Sequence, residues 1–514
     1  MDNSFFTGGI APLGANAEEQ TLLKAIGTDN TIGGQNSAAV GADTWKKEFV
    51  SELITSLVAT NEDIQFTNHL AIDYSPTLYY QALLKTKIGE LDMFQGSNDQ
   101  ATINNLANPD WSRQIFPLKY MYDRKSIYLS ATSEFYYGNL GNIREVLAQD
   151  ALLSLLIREN KQFMYGTRNI PSMIAGVFDN HRRRGSVYLT ESDYAKLEEV
   201  NDLRGTALNY DLISAAQNVL SRHYASNIKF GLFMPTVSIE GVSSKDFSAT
   251  SFRMITPDQL NSKPIFDDHL AGIRTKTGKQ VYFFHDIFSN RETIYGSWKI
   301  SDSAQPTNAS CPAVPNVSSG TNSATPDSES LFITSDNGTY FYAVSAINYA
   351  GTSKLALINA IPVTVTAGER VDLKFVSGAG ANLETGYLIW RSAKNAVDAT
   401  GYFQPLFTVS VSDLALGFDG AAIHNIADKN RYIPGMQDLI LIPLEAGSDI
   451  CDRTLIRKVE QQSMNGAMSG IKRFDLGLAV GTNNEPSYST ILAHHCTLSF
   501  PGAFKCFVFR NVKP

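Results

Sequence analysis

The chain has 514 residues, of which 43% are hydrophobic and 18% charged, with a formal net charge of -8 and a pI near 5.6. Its length exceeds one ordinary core and predicts about two to four domains, while the apolar fraction excludes long disordered tails. The acidic balance excludes a dedicated nucleic-acid binder, which carries a basic surplus or a concentrated basic stripe.

Residues 1–65 read as an extended arm. Glycine-rich sequence, Thr7-Gly8-Gly9-Ile10 and Thr31-Ile32-Gly33-Gly34, leads into an amphipathic helix over 44–60 with Trp45, Phe49, Leu53 and Leu57 at helical spacing. Residues 66–138 read as a projecting β-hairpin. Strand-like Leu78 to Ala82 and Ile115 to Leu118 flank a polar loop, Gln95 to Asp110, and Ser126 to Ser130 follows as a short strand. Residues 139–300 begin with the strongest helix of the chain, Asn142 to Tyr165. Asn142 caps it, Glu145 completes a capping-box variant and Gly166 supplies the stop. A second helix over Asp211 to Tyr224 leads to a buried strand, Phe230 to Met234, ended by Pro235. Gly272 to Lys279 and Val281 to Phe284 give a strand-turn-strand signal.

At Ser301 the composition shifts. Residues 301–328, rich in Ser, Thr, Asn, Ala and Pro, read as a surface linker or loosely folded edge. Short strands separated by turns follow, Tyr340 to Ala346, Val371 to Phe375, Tyr387 to Arg391 and Phe407 to Val411. They predict a β-sandwich module within 301–425. Residues 426–514 return to mixed, strand-rich sequence.

Four cysteines without C-x-x-C spacing, Cys311, Cys451, Cys496 and Cys506, read as reduced thiols of a protein made in a cytosol. Neither a signal peptide at Met1 to Thr7 nor a membrane-length apolar run is found, so a soluble product is expected. The densest basic run, His181-Arg182-Arg183-Arg184, reads as a solvated loop or subunit contact rather than a DNA site. Neighbours in His494-His495-Cys496 alternate faces on a strand and do not readily share a metal, and His285-Asp286 marks a strand end, so both read as structural. The carboxylate pairs Glu62-Asp63 and Asp267-Asp268 read as solvated loops. With no nucleophile elbow, Walker loop or HExxH present, no catalytic residue, cofactor or metal is expected.

Four features in order resemble the Hong Kong 97-type capsid fold of tailed phages, shared with encapsulins. They are the strand Ser126 to Ser130, the long helix ending Leu156 to Gly166, the helix and strand from Leu212 to Pro235, and the returning segments Ala271 to Phe288 and Lys472 to Gly477. The run Thr339 to Ser353 and the strand Gly386 to Arg391 resemble immunoglobulin-like and fibronectin type III modules in a different order. The resemblance implies an α+β capsid fold with N-arm, extended loop, spine helix, axial and peripheral domains, plus an inserted all-β immunoglobulin-like sandwich. It further implies a major capsid protein, not an enzyme, that self-assembles through hexameric and pentameric capsomers into an icosahedral or prolate head in the virion. Scaffold, portal and decoration proteins are further partners, packaged DNA is touched weakly and no membrane is involved. The sandwich is expected to project outward, so that removing 305–425 leaves assembly possible. The alternatives are a carbohydrate-binding or carbohydrate-active protein with an accessory sandwich, or a tail or portal-associated virion protein.

Overall fold

A computed structural model describes residues 64–87, 110–128, 143–184, 187–189, 191–222, 228–235, 254–255, 272–275, 277–288, 291, 296–302, 310–411, 423–462, 470–480 and 486–513. The expected arm helix over 44–60, most of the loop from Gln95 to Asp110, the cap at Asn142 and the pairs Glu62-Asp63 and Asp267-Asp268 lie outside these residues.

In chain order the main elements begin with strands β1 (Ile72–Ser75), β2 (Tyr79–Lys87), β3 (Asp110–Pro117) and β4 (Lys119–Tyr128). Helices α1 (Ile143–Tyr165) and α2 (Tyr210–Ser221) lead to β5 (Phe230–Met234), β6 (Gly272–Arg274) and β7 (Gln280–His285). Next come β8 (Asn316–Pro326), β9 (Tyr342–Asn348), β10 (Glu369–Val376), β11 (Gly386–Ser392), β12 (Phe403–Ser410) and β13 (Ile423–Asp428). The chain closes with β14 (Gln437–Pro443), β15 (Arg457–Gln461), β16 (Lys472–Val480), β17 (Pro486–Ser499) and β18 (Phe507–Val512). The fold is mixed α+β, mostly strand with few helices, and divides into two compact units.

The smaller unit holds Met121 to Leu156 and Ile471 to His494 among the described residues. There β16 and β17 pair antiparallel from Lys472 opposite Ala493 to Val480 opposite Pro486. Thr490 donates to Asp475 at 2.8 Å, and the Arg124 guanidinium donates to Ser489 Oγ at 3.1 Å. Ala148, Ala151 and Leu155 of α1 are buried at helical spacing, whereas Leu152 is exposed.

The larger unit is built on a seven-stranded sheet in the order Val200–Asp202, β18, β14, β5, β7, β6, Met254–Ile255. Its centre, β5, is buried at every position, as a continuous apolar run predicts for a strand covered on both faces. Phe230, Leu232 and Met234 join one core with Ile213, Ala216 and Leu220 of α2. Phe233 instead meets Phe66 edge-on at 5.2 Å. Asn209 caps α2 by accepting from the Leu212 N–H at 2.9 Å, so the helix starts one residue before the expected Asp211.

The stop at the end of α1 has a cause other than a left-handed glycine. Gly166 stops the helix, but its φ is not positive. A Cβ there would lie 1.9 Å from the Ile174 carbonyl oxygen, because the chain folds back on the helix end. Gly176 donates its N–H to the Gly166 carbonyl at 2.9 Å and has no room for a side chain either. Glycine is needed here for close approach, not for a left-handed turn.

Two sheets, β8–β10–β13 and one running β9–β11–β12 with short edge strands, face each other as a sandwich. The segment read as a surface linker or loosely folded edge contains an edge strand, β8, and β13 carries the sandwich past residue 425 to Asp428. Tyr342, Val344, Ile389, Val371, Leu373 and Phe375 fill the space between the sheets. The opposite face of β9 and β11 is buried as well. Phe341, Ala343, Leu388 and Trp390 form a second core with Ile170 and Phe403, against which Met173, Trp298 and Ile300 pack. The Trp390 indole N–H donates to Ser345 Oγ at 2.9 Å inside that core. Loop tips remain in water, with Leu383 at 79% and Val397 at 100% exposure.

A buried ion pair closes the sandwich. Arg391 Nη1 meets Asp428 Oδ2 at 2.9 Å, and Tyr342 donates its hydroxyl to the same oxygen at 2.8 Å. Asp428→Asn strands the buried guanidinium and is expected to cost about 3–5 kcal/mol in chemical denaturation. Contrary to the expectation from the sequence that assembly survives the deletion, removing 305–425 uncovers Ile170, Met173 and Trp298, so the truncated chain is expected to lose its soluble, cooperatively melting fraction. A soluble truncation with a sharp melt by circular dichroism would show that the second core does not bind the sandwich to the rest of its unit.

Candidate assembly surface

Between Ile72 and Tyr120 the larger unit displays an apolar surface. Strands β2 and β3 pair antiparallel with Tyr79 opposite Pro117, Gln81 opposite Ile115 and Leu83 opposite Arg113. Alternation sends Ala82, Gln114 and Phe116 to a buried face and Tyr79, Gln81, Leu83, Arg113, Ile115 and Pro117 to water. Leu83 is 66% and Ile115 47% exposed, and they are diagonal neighbours across the ribbon. Ile72, Tyr74, Leu78 and Tyr120 are exposed nearby in sequence. Single apolar residues in water are ordinary; on this face Leu83 and Ile115 adjoin across the strands, beside Gln81 and Arg113.

The short helix Gln65–Asn68, ahead of β1, is held by buried polar groups. Asp286, wholly buried at the end of β7, accepts from the Phe66 N–H at 3.0 Å, Asn160 Nδ2 at 2.8 Å and the Phe288 N–H at 2.9 Å. Burial raises its pKa, and those N–H donors pull it back toward the ionised form. Asn160 also accepts from the Thr67 N–H and hydroxyl at 3.1 and 2.7 Å. The sequence reads His285-Asp286 as a strand end, and β7 ends at His285.

One helical residue earlier, Glu159 is also wholly buried and pairs with Lys458 of β15, which lies 3.1 Å from Glu460 as well. Burial alone would lower the Lys458 pKa, but Glu159 and Glu460 outweigh it and hold the ammonium above its ordinary value. On β17, His494 and Cys496 share one face and His495 the other, where its ring lies 4.6 Å from that of Tyr120. Burial drives the Cys496 thiol well up, with the Glu159 carboxylate adding to it. All four cysteines are buried and none is in a disulfide.

The basic run is not a solvated loop. His181 is wholly buried, with Nε2 3.1 Å from the Cys506 carbonyl and Nδ1 3.0 Å from the Tyr194 hydroxyl. A carbonyl only accepts, so Nε2 carries the proton and Nδ1 accepts from Tyr194. Arg184 pairs with Glu199, and Arg182 donates to the Leu189 carbonyl at 3.0 Å. Arg183 stacks over the Phe116 ring at 4.9 Å and donates to the Ile115 carbonyl at 3.2 Å. Arg183 braces β3, and Arg182 and Arg184 are held within their own unit, so the run is not a free cationic patch. The composition hid this because an arginine run looks the same whether it faces water or its own chain.

No family model matches the chain, and no curated protein matches it. Solved structures similar to it are phage capsids and an encapsulin. The holo-SrpI encapsulin complex from Synechococcus elongatus aligns over 90% of this chain and 92% of its own, at 8% identity and a TM-score of 0.40. The capsid of the empty GTA particle aligns over 90% and 93%, at 8% identity and a TM-score of 0.39. That of the cyanophage P-SCSP1u aligns over 89% and 90%, at 4% identity and a TM-score of 0.38.

His181 makes a pH prediction. Burial first, then Arg184, lower its pKa from 6.5 to about 3. The unfolded chain takes up this proton below about pH 6.5, while the native state refuses it until about pH 3. Stability therefore falls as pH drops through that window, by up to about 1.4 kcal/mol per pH unit. His181→Gln is expected to remove that slope, read as the difference between the two proteins' denaturation curves from neutral to acid pH. Equal slopes would place the proton elsewhere.

Proposed function

We propose that this chain is a major capsid protein of the Hong Kong 97 type, a structural subunit that self-assembles into the shell enclosing a phage genome. The observation that carries the reading is the β2–β3 ribbon, with one face buried on its own unit and an apolar stripe on the other. The occupant of that stripe is a second copy of the chain. The strand Lys119–Tyr128, long helix, helix and strand, β6–β7 hairpin and strand β16 occur in the order of the features by which the sequence resembles the family. The low charged fraction suits a surface covered by neighbours. A lattice contact of this kind buries about 2,000 Å² or more, spread over several neighbours so that none need be strong alone.

The finer features are part of the same proposal. Subunits gather into hexameric and pentameric capsomers, with scaffold and portal proteins as further partners and DNA contacted weakly. The sandwich is an immunoglobulin-like insertion whose loop tips face the exterior of the virion.

Negative-stain electron microscopy of the purified chain, with any scaffold supplied, is expected to show closed shells of one dominant radius. Leu83→Glu with Ile115→Glu is expected to leave folding stability within about 0.5 kcal/mol, because both side chains are exposed. The same variant is expected to sediment only as small species. Shells formed at unchanged yield by the variant would remove the ribbon from the interface, and a wild-type chain that stays monomeric would overturn the capsid reading.

A further inference from the structure

Two of the four buried thiols lie side by side along one edge of strand β14. In the antiparallel pairing of β14 with β18, Ile440 stands opposite Val508 and Leu441 opposite Phe507. The next pair in that register is Ile442 with Cys506, whose backbone is still extended at φ -116° and ψ 156°. Beyond β14 the chain turns back, and Cys451 bridges antiparallel to Leu444. The Asp452 N–H donates to the Pro443 carbonyl at 2.9 Å, and the Glu445 N–H to the Ile450 carbonyl at 2.9 Å. The Leu444 N–H points the other way, to the Lys229 carbonyl at 2.9 Å just ahead of β5. Cys451 therefore lies on the edge away from β5, the same edge that carries β18.

Ile442 and Leu444 point to one face of β14, and their cross-strand partners Cys506 and Cys451 point to it with them. Two residues of strand separate the partners by about 6.6 Å, within the range of Cα spacings that a disulfide bridges, about 4.4–6.8 Å. Both backbones are held in place. The Cys451 N–H donates to the His69 carbonyl at 2.8 Å, and the Cys506 carbonyl accepts from His181 Nε2 at 3.1 Å. Burial pushes both thiols up, and the neighbouring Cys451 adds to the effect on Cys506.

We propose that Cys451 and Cys506 form a reversible disulfide when the folded chain meets a small-molecule disulfide such as oxidised glutathione. One cysteine gives up its proton and attacks the oxidant, which makes a mixed disulfide and releases one small thiol. The second cysteine attacks the protein sulfur of that mixed disulfide and expels the other small thiol. The protein loses two protons and two electrons, and the oxidant's single S–S bond takes them up as two thiols. Burial keeps both thiolates scarce, so local opening paces the reaction. The new bond closes a loop from residue 451 to residue 506, which restricts the unfolded chain far more than the folded one. A shell carried from a reducing cytosol into an oxidising medium acquires this staple after assembly, and that timing alone rests on the capsid reading.

The test keeps the full chain folded with oxidised glutathione, then denatures it, caps free thiols with N-ethylmaleimide and digests it without reductant for mass spectrometry. A Cys451–Cys506 peptide pair is expected, with Cys311 and Cys496 capped. The oxidised chain is expected to unfold at higher urea than the reduced chain, a gain of about a hundredfold in the folding equilibrium. Dithiothreitol is expected to abolish the gain, and Cys506→Ala never to show it. Four capped thiols after oxidation, a bridge to Cys311 or Cys496, or a bond that lowers the urea midpoint overturns the proposal. If Cys506→Ala does not fold, the oxidised and reduced wild-type chains still supply the comparison. Neither measurement needs an assembled shell, so a failure here leaves the capsid reading standing.

Discussion

The larger unit depends on a carboxylate with no contact with water. An ionised Asp286 in that position is tolerable only while its oxygens are met by N–H groups, and these come from Phe66, Asn160 and Phe288. Residues 220 apart in sequence are thereby fixed to one point. The side chain next to Asn160 on the helix, Glu159, repeats the arrangement with Lys458. The polar end of α1 thus serves as a set of sockets into which the helix Gln65–Asn68, the end of β7 and strand β15 are plugged. Replacing any one partner leaves another buried group unpaired, which gives these contacts more influence on geometry than on net stability.

From that anchor the architecture proceeds by covering sheet faces. Strand β5 is covered by α2 on one side and by aromatic rings, Phe66 and Phe284 among them, on the other. The β9–β11 sheet is covered by its own sandwich partner and by the second core around Trp390. Against this habit the ribbon stands out, because its outer face keeps leucine, isoleucine and tyrosine in water. The same chain that lays Arg183 against β3 leaves that stripe uncovered.

Much of this framework is legible in the sequence where periodicity is strong. The long helix, the helix before β5, the β6–β7 hairpin and the ribbon strands all fall where apolar spacing puts them. Strand β8 is not legible, because Asn316 to Pro326 consists largely of Ser, Thr, Asn and Gly on an edge strand with little apolar signal. The roles of Glu159, Asn160 and His181 are equally hidden, since a polar residue announces neither its burial nor its distant partner. The exposed stripe is half legible: the strand is evident, but Tyr79 and Leu83 on one face and Tyr80 and Ala82 on the other are comparably apolar. Only packing against the remainder of the unit decides which face is left open.

Burial of the β9–β11 sheet on both faces also constrains how the sandwich can change over evolutionary time. A module joined by a flexible tether is exchanged as a cassette, since nothing outside its ends needs to match. Here an exchanged cassette would have to reproduce the relief of Phe341, Leu388 and Trp390 against Ile170 and Phe403. Variation is therefore channelled to the tips around Leu383 and Val397, where new side chains meet only solvent. Those tips, rather than the sandwich as a whole, are where a foreign epitope can be grafted at little structural cost.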